Sequence, residues 1–412
     1  MVVKMQTGAK LVCVLFLSGV LAQAQTLKIL YSFTGQDDGG MPSTPLFLEN
    51  DGTLYGAAFT SANGVGNGTI FKLSPSLKFS LLYAFPGVGG HGTAGANPLG
   101  GLIRNANGDI YGVTEFGGVE NEYGVVFKLS ARGKESVLHT FQGPPNDGAE
   151  PLTTLIAGGS GMFYGTTAFG GNGNCPGACG ITFAIDSAGY TITHNFQGSP
   201  TDGFEPWENL VQDAQGNIYG TTMGGGDPSG FSCYLGHIEL GCGVVFKLSP
   251  DADGSWSESI LYNFSGAADG YDPSALAIDA KGNLYGAAFF GGSTNCPDGC
   301  GTIFKLNTTG ELTILHRFTK QSTGMYPYAL TLDGAGNLYG SANGGSGSCG
   351  KYGCGLIFKL AASGKFSVVH AFNGTDGDAP GVLILDQKTG TLYGSTRYGG
   401  SSTWGTIFQL KP

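Results

Sequence analysis

Along most of the chain, apolar side chains alternate with polar ones for four or five residues and then give way to glycine-rich turns. That is the period-2 signature of half-buried β-strands. The clearest runs are Ile70-Phe71-Lys72-Leu73, Val126-Phe127-Lys128-Leu129, Thr182-Phe183-Ala184-Ile185, Val245-Phe246-Lys247-Leu248, Ile303-Phe304-Lys305-Leu306, Ile357-Phe358-Lys359-Leu360 and Ile407-Phe408-Gln409-Leu410. Each follows a strand carrying Tyr-Gly, with Tyr at 55, 111, 164, 219, 285, 339 and 393, in steps of 56, 53, 55, 66, 54 and 54 residues. The phase never slips, so the chain holds seven copies of one unit.

Two more strands complete the unit. One ends in Phe85, Phe141, Phe196, Phe264, Phe318 or Phe372, with Tyr or His two residues earlier, and the other begins three or four residues after Pro42, Pro98, Pro151, Pro206, Pro273, Pro327 or Pro380. Four short antiparallel strands repeated seven times predict an all-β, seven-bladed β-propeller, in which each sheet buries both faces against its neighbours. The seventh unit stops after its third strand, while Leu30-Tyr31-Ser32-Phe33 is an orphan copy of the fourth. The orphan therefore closes the last blade and removes two free edges. The blades are expected at 42–85, 98–141, 151–196, 206–264, 273–318, 327–372, and 380–412 plus 27–33, all within one domain at 25–412. Turns such as Asp279-Ala280-Lys281-Gly282-Asn283 place Gly where a hairpin needs positive φ. The Gly after each Tyr reads as room for a neighbouring sheet.

Composition supports all-β and narrows the compartment. Charged residues are only 12%, hydrophobic residues 41%, and Gly is 75 of 412, a balance poor in surface-helix residues and rich in turns. Residues 1–24 place Lys4 and Lys10 before the apolar run from Leu11 to Leu21 and then Ala22-Gln23-Ala24. This is the order of a secretory signal peptide, too short to span a bilayer. The product is expected to be secreted, periplasmic or at the cell surface, without a membrane span and as a monomer. A net charge of −10 disfavours nucleic acid and anionic membranes as partners.

The order Pro, apolar strand, Asp, Gly-Asn, Leu-Tyr resembles the NHL repeat of propeller proteins. The fuller pattern, Gly-Asn-Leu-Tyr-Gly, Gly-Gly, Gly-Thr-Ile-Phe-Lys-Leu, Leu-Tyr-x-Phe and Asp-Gly-x-x-Pro, closely resembles the Gloeo-Verruco repeat of secreted bacterial proteins from Leu27 to Pro412. The resemblance implies a bacterial extracytoplasmic protein and carries no agreed activity with it.

Outside the leader, eight cysteines fall in four close pairs: Cys175 with Cys179, Cys233 with Cys242, Cys296 with Cys300, and Cys349 with Cys354. Even number, exported context and a common loop position predict four local disulfides. These loops and the Asp-Gly-x-x-Pro links emerge on one face, and the opposite face has tight turns. Any ligand should therefore sit on the loop face.

Three groups there can carry chemistry. Asp38, Asp147, Asp202, Asp269 and Asp376 recur in Asp-Gly-x-x-Pro, with Glu150, Glu205, Asp272 and Asp378 beside them. Such oxygens suit Ca²⁺, although Asp-Gly more often sets a turn. Phe116, Phe169, Phe290 and Tyr398 share one loop position, with Phe59 and Phe289 one residue earlier in their units, and Trp207 interrupts the pattern. These rings are the expected ligand-binding residues. Glu115, Glu208 and Arg397 break the repeat symmetry and are the candidate catalytic set. His139, His194, His316 and His370, one per blade on the rim, cannot meet at one metal, whereas His91 and His237 lie in loops of the candidate face. Phosphate-loop and nucleophile-elbow motifs are absent. The leading expectation is a binding propeller for a glycan or protein. The alternative is a carbohydrate-active or lactone-type enzyme with acids at the channel mouth.

Overall fold

The computed structural model describes residues 26–412 except 43, 62–65, 87–92, 119–121, 176, 228–232, 236–237, 240, 267, 297, 321–322, 346 and 348. The signal peptide expected at 1–24, and His91 and His237, lie outside the described residues. Each repeat forms one antiparallel sheet, and blade 4 shows the order: Val211–Gln212, Ile218–Thr222, Val244–Pro250 and Trp256–Asn263 pair in sequence. Seven such sheets make a seven-bladed propeller. Thr26–Ser32 pairs with Thr406–Lys411 from Thr26 opposite Lys411 to Ser32 opposite Thr406, so the N-terminal strand closes blade 7.

The blades are joined by phenylalanines. The Phe that ends each outer strand packs edge-to-face on the third-strand Phe of the next blade: Phe85 on Phe127, Phe141 on Phe183, Phe196 on Phe246, Phe264 on Phe304, Phe318 on Phe358 and Phe372 on Phe408, with centroids 5.1–5.5 Å apart. Phe33 makes the seventh junction against Phe71 at 5.3 Å. Both rings are fully buried. Each pair adds roughly 0.5–1.5 kcal/mol beyond its area burial. Ring closure is thus a side-chain event as well as a backbone one.

The Gly of Tyr-Gly serves the same packing, though not as the sequence suggests. A Cβ on Gly286 would lie 2.3 Å from Phe304 Cζ, and one on Gly56 2.5 Å from Phe71 Cζ. These phenylalanines face the glycines across their own sheet. Room is made for the blade's own Phe, not for a neighbouring sheet.

One irregularity positions the site. Blades 1–4 have three residues between the leading Pro and the inward Leu, as in Pro206-Trp207-Glu208-Asn209-Leu210; blades 5–7 have two, as in Pro273-Ser274-Ala275-Leu276. With two, the innermost strand runs unbroken through Tyr271–Ile278 in blade 5 and Met325–Leu332 in blade 6, and pairs as Asp378–Pro380 and Ile384–Asp386 in blade 7. With three, only pairs such as Val211–Gln212 remain in the sheet. The extra residue breaks the period-2 register, and the freed segments bond to the neighbouring blade. Asn209 Oδ1 accepts from the Thr154 N–H, and Thr154 Oγ1 accepts from the Gly101 N–H. Among the described residues, no helix is long and apolar enough to cross a membrane.

Candidate functional site

The residue before each leading Pro enters the channel mouth in a left-handed backbone conformation. Met41, Asn97, Glu150, Glu205, Asp272, Tyr326 and Ala379 have φ of 54–58°. Non-glycine residues seldom adopt it, and it survives where surrounding bonds enforce it. The bond is the same in every blade: the N–H of this residue donates to the loop of the preceding blade. Glu205 donates to Cys179 O, Asp272 to Cys242 O, Tyr326 to Cys300 O and Ala379 to Cys354 O at 2.8–3.2 Å. Trp404, Asn67 and Tyr123 supply the carbonyl for Met41, Asn97 and Glu150. All four cysteine pairs are disulfides. Each short loop closure stabilises by roughly 2–3 kcal/mol on the chain-entropy account. The disulfides therefore stiffen the carbonyls that hold the mouth residues.

An acidic arc runs through blades 2–5. Burial pushes Glu115 up to about 7; Glu150 adds to this and the Arg397 guanidinium opposes it. Glu205 is raised to about 6 by burial, with the Trp207 indole N–H opposing at 3.3 Å and Glu150 adding. Burial raises Glu208 to about 7 against a bond from the Ala275 N–H. Asp272 is raised to about 8 by burial, then by Glu208 and Glu205. Glu208 and Asp272 each keep some exposed area yet are surrounded by protein, as groups lining a narrow channel are. Carboxyls so placed hold protons near neutral pH and can give or take them.

The arc continues as aromatic rings. Phe289 stacks on Tyr326 at 5.2 Å, Phe290 stacks on Tyr271 at 5.1 Å, and Tyr326 meets Tyr352 edge-on at 5.6 Å. Beyond it, a cavity of about 470 Å³ opens where blades 6, 7 and 1 meet, lined by Met41, Cys349, Asp378, Tyr398, Thr403 and Trp404. Tyr398 is 38% exposed. Its neighbour Arg397 places its guanidinium 5.6 Å from both the Tyr398 and Phe59 rings, and the buried Arg397 Nε has no hydrogen bond among the described residues. The Trp404 ring lies against glycine backbone: a Cβ on Gly35 would come within 2.4 Å of it and one on Gly40 within 2.7 Å. Burial holds Asp378 above the usual carboxylate range.

The sequence candidates fall into separate groups. Glu115 and Arg397 act on each other, whereas Glu208 acts on Asp272. Trp207, 43% exposed, and Tyr398 present their rings outward; Phe116, Phe169 and Phe290 are half-buried. Trp404, Tyr326 and Tyr352 escaped the sequence reading: Tyr326 and Trp404 hold repeated positions that carry other residue types in the other blades.

The five repeated aspartates lie apart, one at each junction, against outer-strand residues. Asp38 accepts from the Tyr31 hydroxyl and from Thr34; Asp269 from the Tyr262 hydroxyl and Ser265; Asp376 from the Asn373 N–H, with His370 Nε2 at 2.9 Å. Asp147 takes the Tyr190 hydroxyl at 2.6 Å, the N–H of Gln142 and Gly148, and His139 Nε2 at 2.9 Å. Burial pushes Asp147 up, but these bonds outweigh it and leave it lowered. Asp202 is bound by the Gln197 and Gly203 N–H groups and faces His194. A cation at Asp38, Asp147, Asp269 or Asp376 would have to displace turn-forming bonds. The rim histidines are likewise separate, and burial lowers His316 to about 4.

The fold has solved counterparts. The extracellular domain of a hybrid two-component system of B. thetaiotaomicron matches with a TM-score of 0.58 and 10% identity over 94% of this chain and 39% of that one. The extracellular domain described as belonging to a one-component system of the same organism gives 0.55, also at 10% identity, over 94% of this chain and 40% of that one. This chain thus spans about two fifths of their length. A gluconolactonase of Xanthomonas campestris covers 94% of this chain and 89% of its own at 14% identity, with a TM-score of 0.45. At such identities the first two likenesses show the fold alone, and the third carries no argument. No curated protein sequence matches. The model of the Gloeobacter/Verrucomicrobia repeat matches residues 18–175, 58–238 and 235–412, and the chain belongs to that repeat family.

Proposed function

We propose that the chain is an extracytoplasmic glycan-binding propeller whose ligand seats in the pocket between blades 6, 7 and 1. The observation that carries this reading is the pocket itself: about 470 Å³, with the exposed Tyr398 ring, Trp404 and Asp378 on its walls. Its volume lies in the range of small-ligand sites. Aromatic faces stack on the C–H faces of sugars, while Asp378 accepts or donates to their hydroxyls. Four disulfides suit an oxidising compartment. Calorimetric titration with neutral mono- and oligosaccharides tests the reading. Wild type should bind at least one of them, and Tyr398→Ala should weaken that binding at least about tenfold, the equivalent of 1.4 kcal/mol. No binding across the panel, or equal binding by the variant, would overturn it.

A second reading rests on Glu208 and Asp272. Raised to about 7 and about 8 by burial, with Glu208 adding to the rise of Asp272, they supply an acid and a base at neutral pH, as hydrolysis of a glycoside or lactone needs. Turnover of such substrates that is lost in Glu208→Gln supports it; a sugar that binds and is never turned over favours the first reading.

A further inference from the structure

At the rim, each Tyr or His that precedes the junction Phe faces the outer strand of the next blade. Three of these contacts are stacked rings: Tyr31 on Phe79 at 4.5 Å, His139 on Tyr190 at 3.6 Å and His316 on Phe366 at 4.0 Å. Between blades 2 and 3 the stacked Tyr190 also donates its hydroxyl to Asp147, so the His-Asp pair is completed by a donor. The junction of blades 3 and 4 has the same His and Asp, His194 and Asp202, but Glu258 stands where the donor is needed. An acceptor has replaced it.

We propose that His194, Asp202 and Glu258 bind one divalent transition-metal ion, zinc by preference, which clamps blades 3 and 4 at the rim. His194 Nε2 lies 3.2 Å from Asp202 Oδ2 and 3.4 Å from Glu258 Oε2. One ligand atom from each residue lies within 4.8 Å of the others. A tetrahedral ion with bonds of about 2.0–2.1 Å holds its ligand atoms about 3.3–3.4 Å apart, so little movement is required. The three side chains are only 19%, 7% and 14% exposed.

A second observation points the same way. Glu258 Oε1 is shut off from solvent and has no hydrogen-bond partner among the described residues. Asp202 keeps the Gln197 and Gly203 N–H donors while Glu258 Oε1 has none, and both carboxyl groups face one imidazole. A divalent cation would satisfy both carboxylates at once and use the imidazole nitrogen as a neutral ligand. The nitrogen ligand disfavours Ca²⁺ and Mg²⁺, which prefer oxygen throughout. Solvent at the rim can fill the fourth position.

The test is titration of the disulfide-intact, chelator-stripped protein with Zn²⁺, followed by calorimetry and thermal unfolding. Cobalt absorption spectra then report the ligand geometry. The expected result is one equivalent bound, a higher unfolding midpoint and intense tetrahedral cobalt bands. Glu258→Gln and His194→Gln should each weaken binding more than about 100-fold, beyond the usual effect of losing a supporting residue. His139→Gln, at the junction completed by Tyr190, should leave it unchanged. Absence of binding to wild type, or binding that survives both ligand substitutions, would overturn the site. So would stability that responds to pH near 7 but not to metal, because the carboxyls would then share only a proton. Should Glu258→Gln fail to fold, His194→Gln and the wild-type cobalt spectrum still decide.

Discussion

The two faces of this propeller use acidic side chains in opposite ways. On the tight-turn face, Asp213, Asp279 and Asp333 each accept two backbone N–H groups at Oδ1 and an Asn side-chain N–H plus a Tyr hydroxyl at Oδ2. Burial works against their charge, yet these bonds win and all three are lowered. Lys247, Lys305 and Lys359 cover the same tyrosines at 5.9, 5.6 and 5.0 Å. On the loop face, Glu115, Glu205, Glu208 and Asp272 are raised to about 6–8, first by burial, with Glu150 adding at Glu115 and Glu205, and Glu208 and Glu205 adding at Asp272. One face uses its carboxylates to fold; the other holds them against their preferred state, as binding and catalytic sites do.

Removing the frame that both faces share should have the largest effect. Phe33→Ala, which empties the closing junction, is expected to cost about 3–5 kcal/mol in denaturant unfolding. A loss below 1 kcal/mol would mean the N-terminal strand does not close the ring. Next, Asp279→Ala strips four acceptor bonds from a tight turn and should destabilise by about 2 kcal/mol while leaving sugar affinity unchanged. Changed affinity would break the division of labour between the faces.

Asp272→Asn should act with the opposite sign. Its folded pKa of about 8 lies above the unfolded carboxylate value, so ionisation costs stability as pH rises from about 4 through 8, and nothing below that window. At pH 8 the substitution is therefore expected to stabilise by on the order of 1–2 kcal/mol, with water at the mouth screening part of the effect. At pH 4 it should be neutral. Wild type should accordingly gain stability as pH falls from 8 towards 5. It should lose stability again below about 4, where the lowered tight-turn aspartates take up protons and their contribution disappears. A stability curve that rises monotonically from pH 5 to 8 would contradict this sign. The smallest effect belongs to Tyr398→Ala. Its ring is already exposed, so stability should stay within about 0.5 kcal/mol even where ligand binding is lost.

The repeated features were legible in the sequence because repetition averages out local ambiguity. Seven Tyr-Gly copies, the orphan Leu30-Tyr31-Ser32-Phe33 and the matched cysteine pairs lead directly to blades, closure and disulfides. The site was legible only in pieces. Tyr398 stood out as a repeated loop aromatic and Glu115 as a symmetry breaker, but the convergence of Glu150, Glu205, Glu208 and Asp272 depends on links far apart in the chain. The left-handed conformation before each Pro runs against the local preference of that position for extended backbone; it is enforced by a carbonyl of the preceding blade, which no local rule supplies. Trp404 is placed by Gly35 and Gly40 from the opposite end of the chain. The one-residue difference between Pro206-to-Leu210 and Pro273-to-Leu276 was present in the sequence, yet its meaning emerges only once the innermost strands are compared.

The division between the faces is tested most directly by measuring the carboxyl titrations themselves, by carbon-detected NMR of protein labelled at Asp and Glu. Assignment would come from single Asp→Asn and Glu→Gln substitutions. The prediction is that Asp213, Asp279 and Asp333 titrate below the ordinary carboxylate range, while Glu115, Glu208 and Asp272 titrate at about 7, about 7 and about 8. If all six titrate together near pH 4, the loop face holds no carboxyls in reserve and the contrast between the faces is wrong.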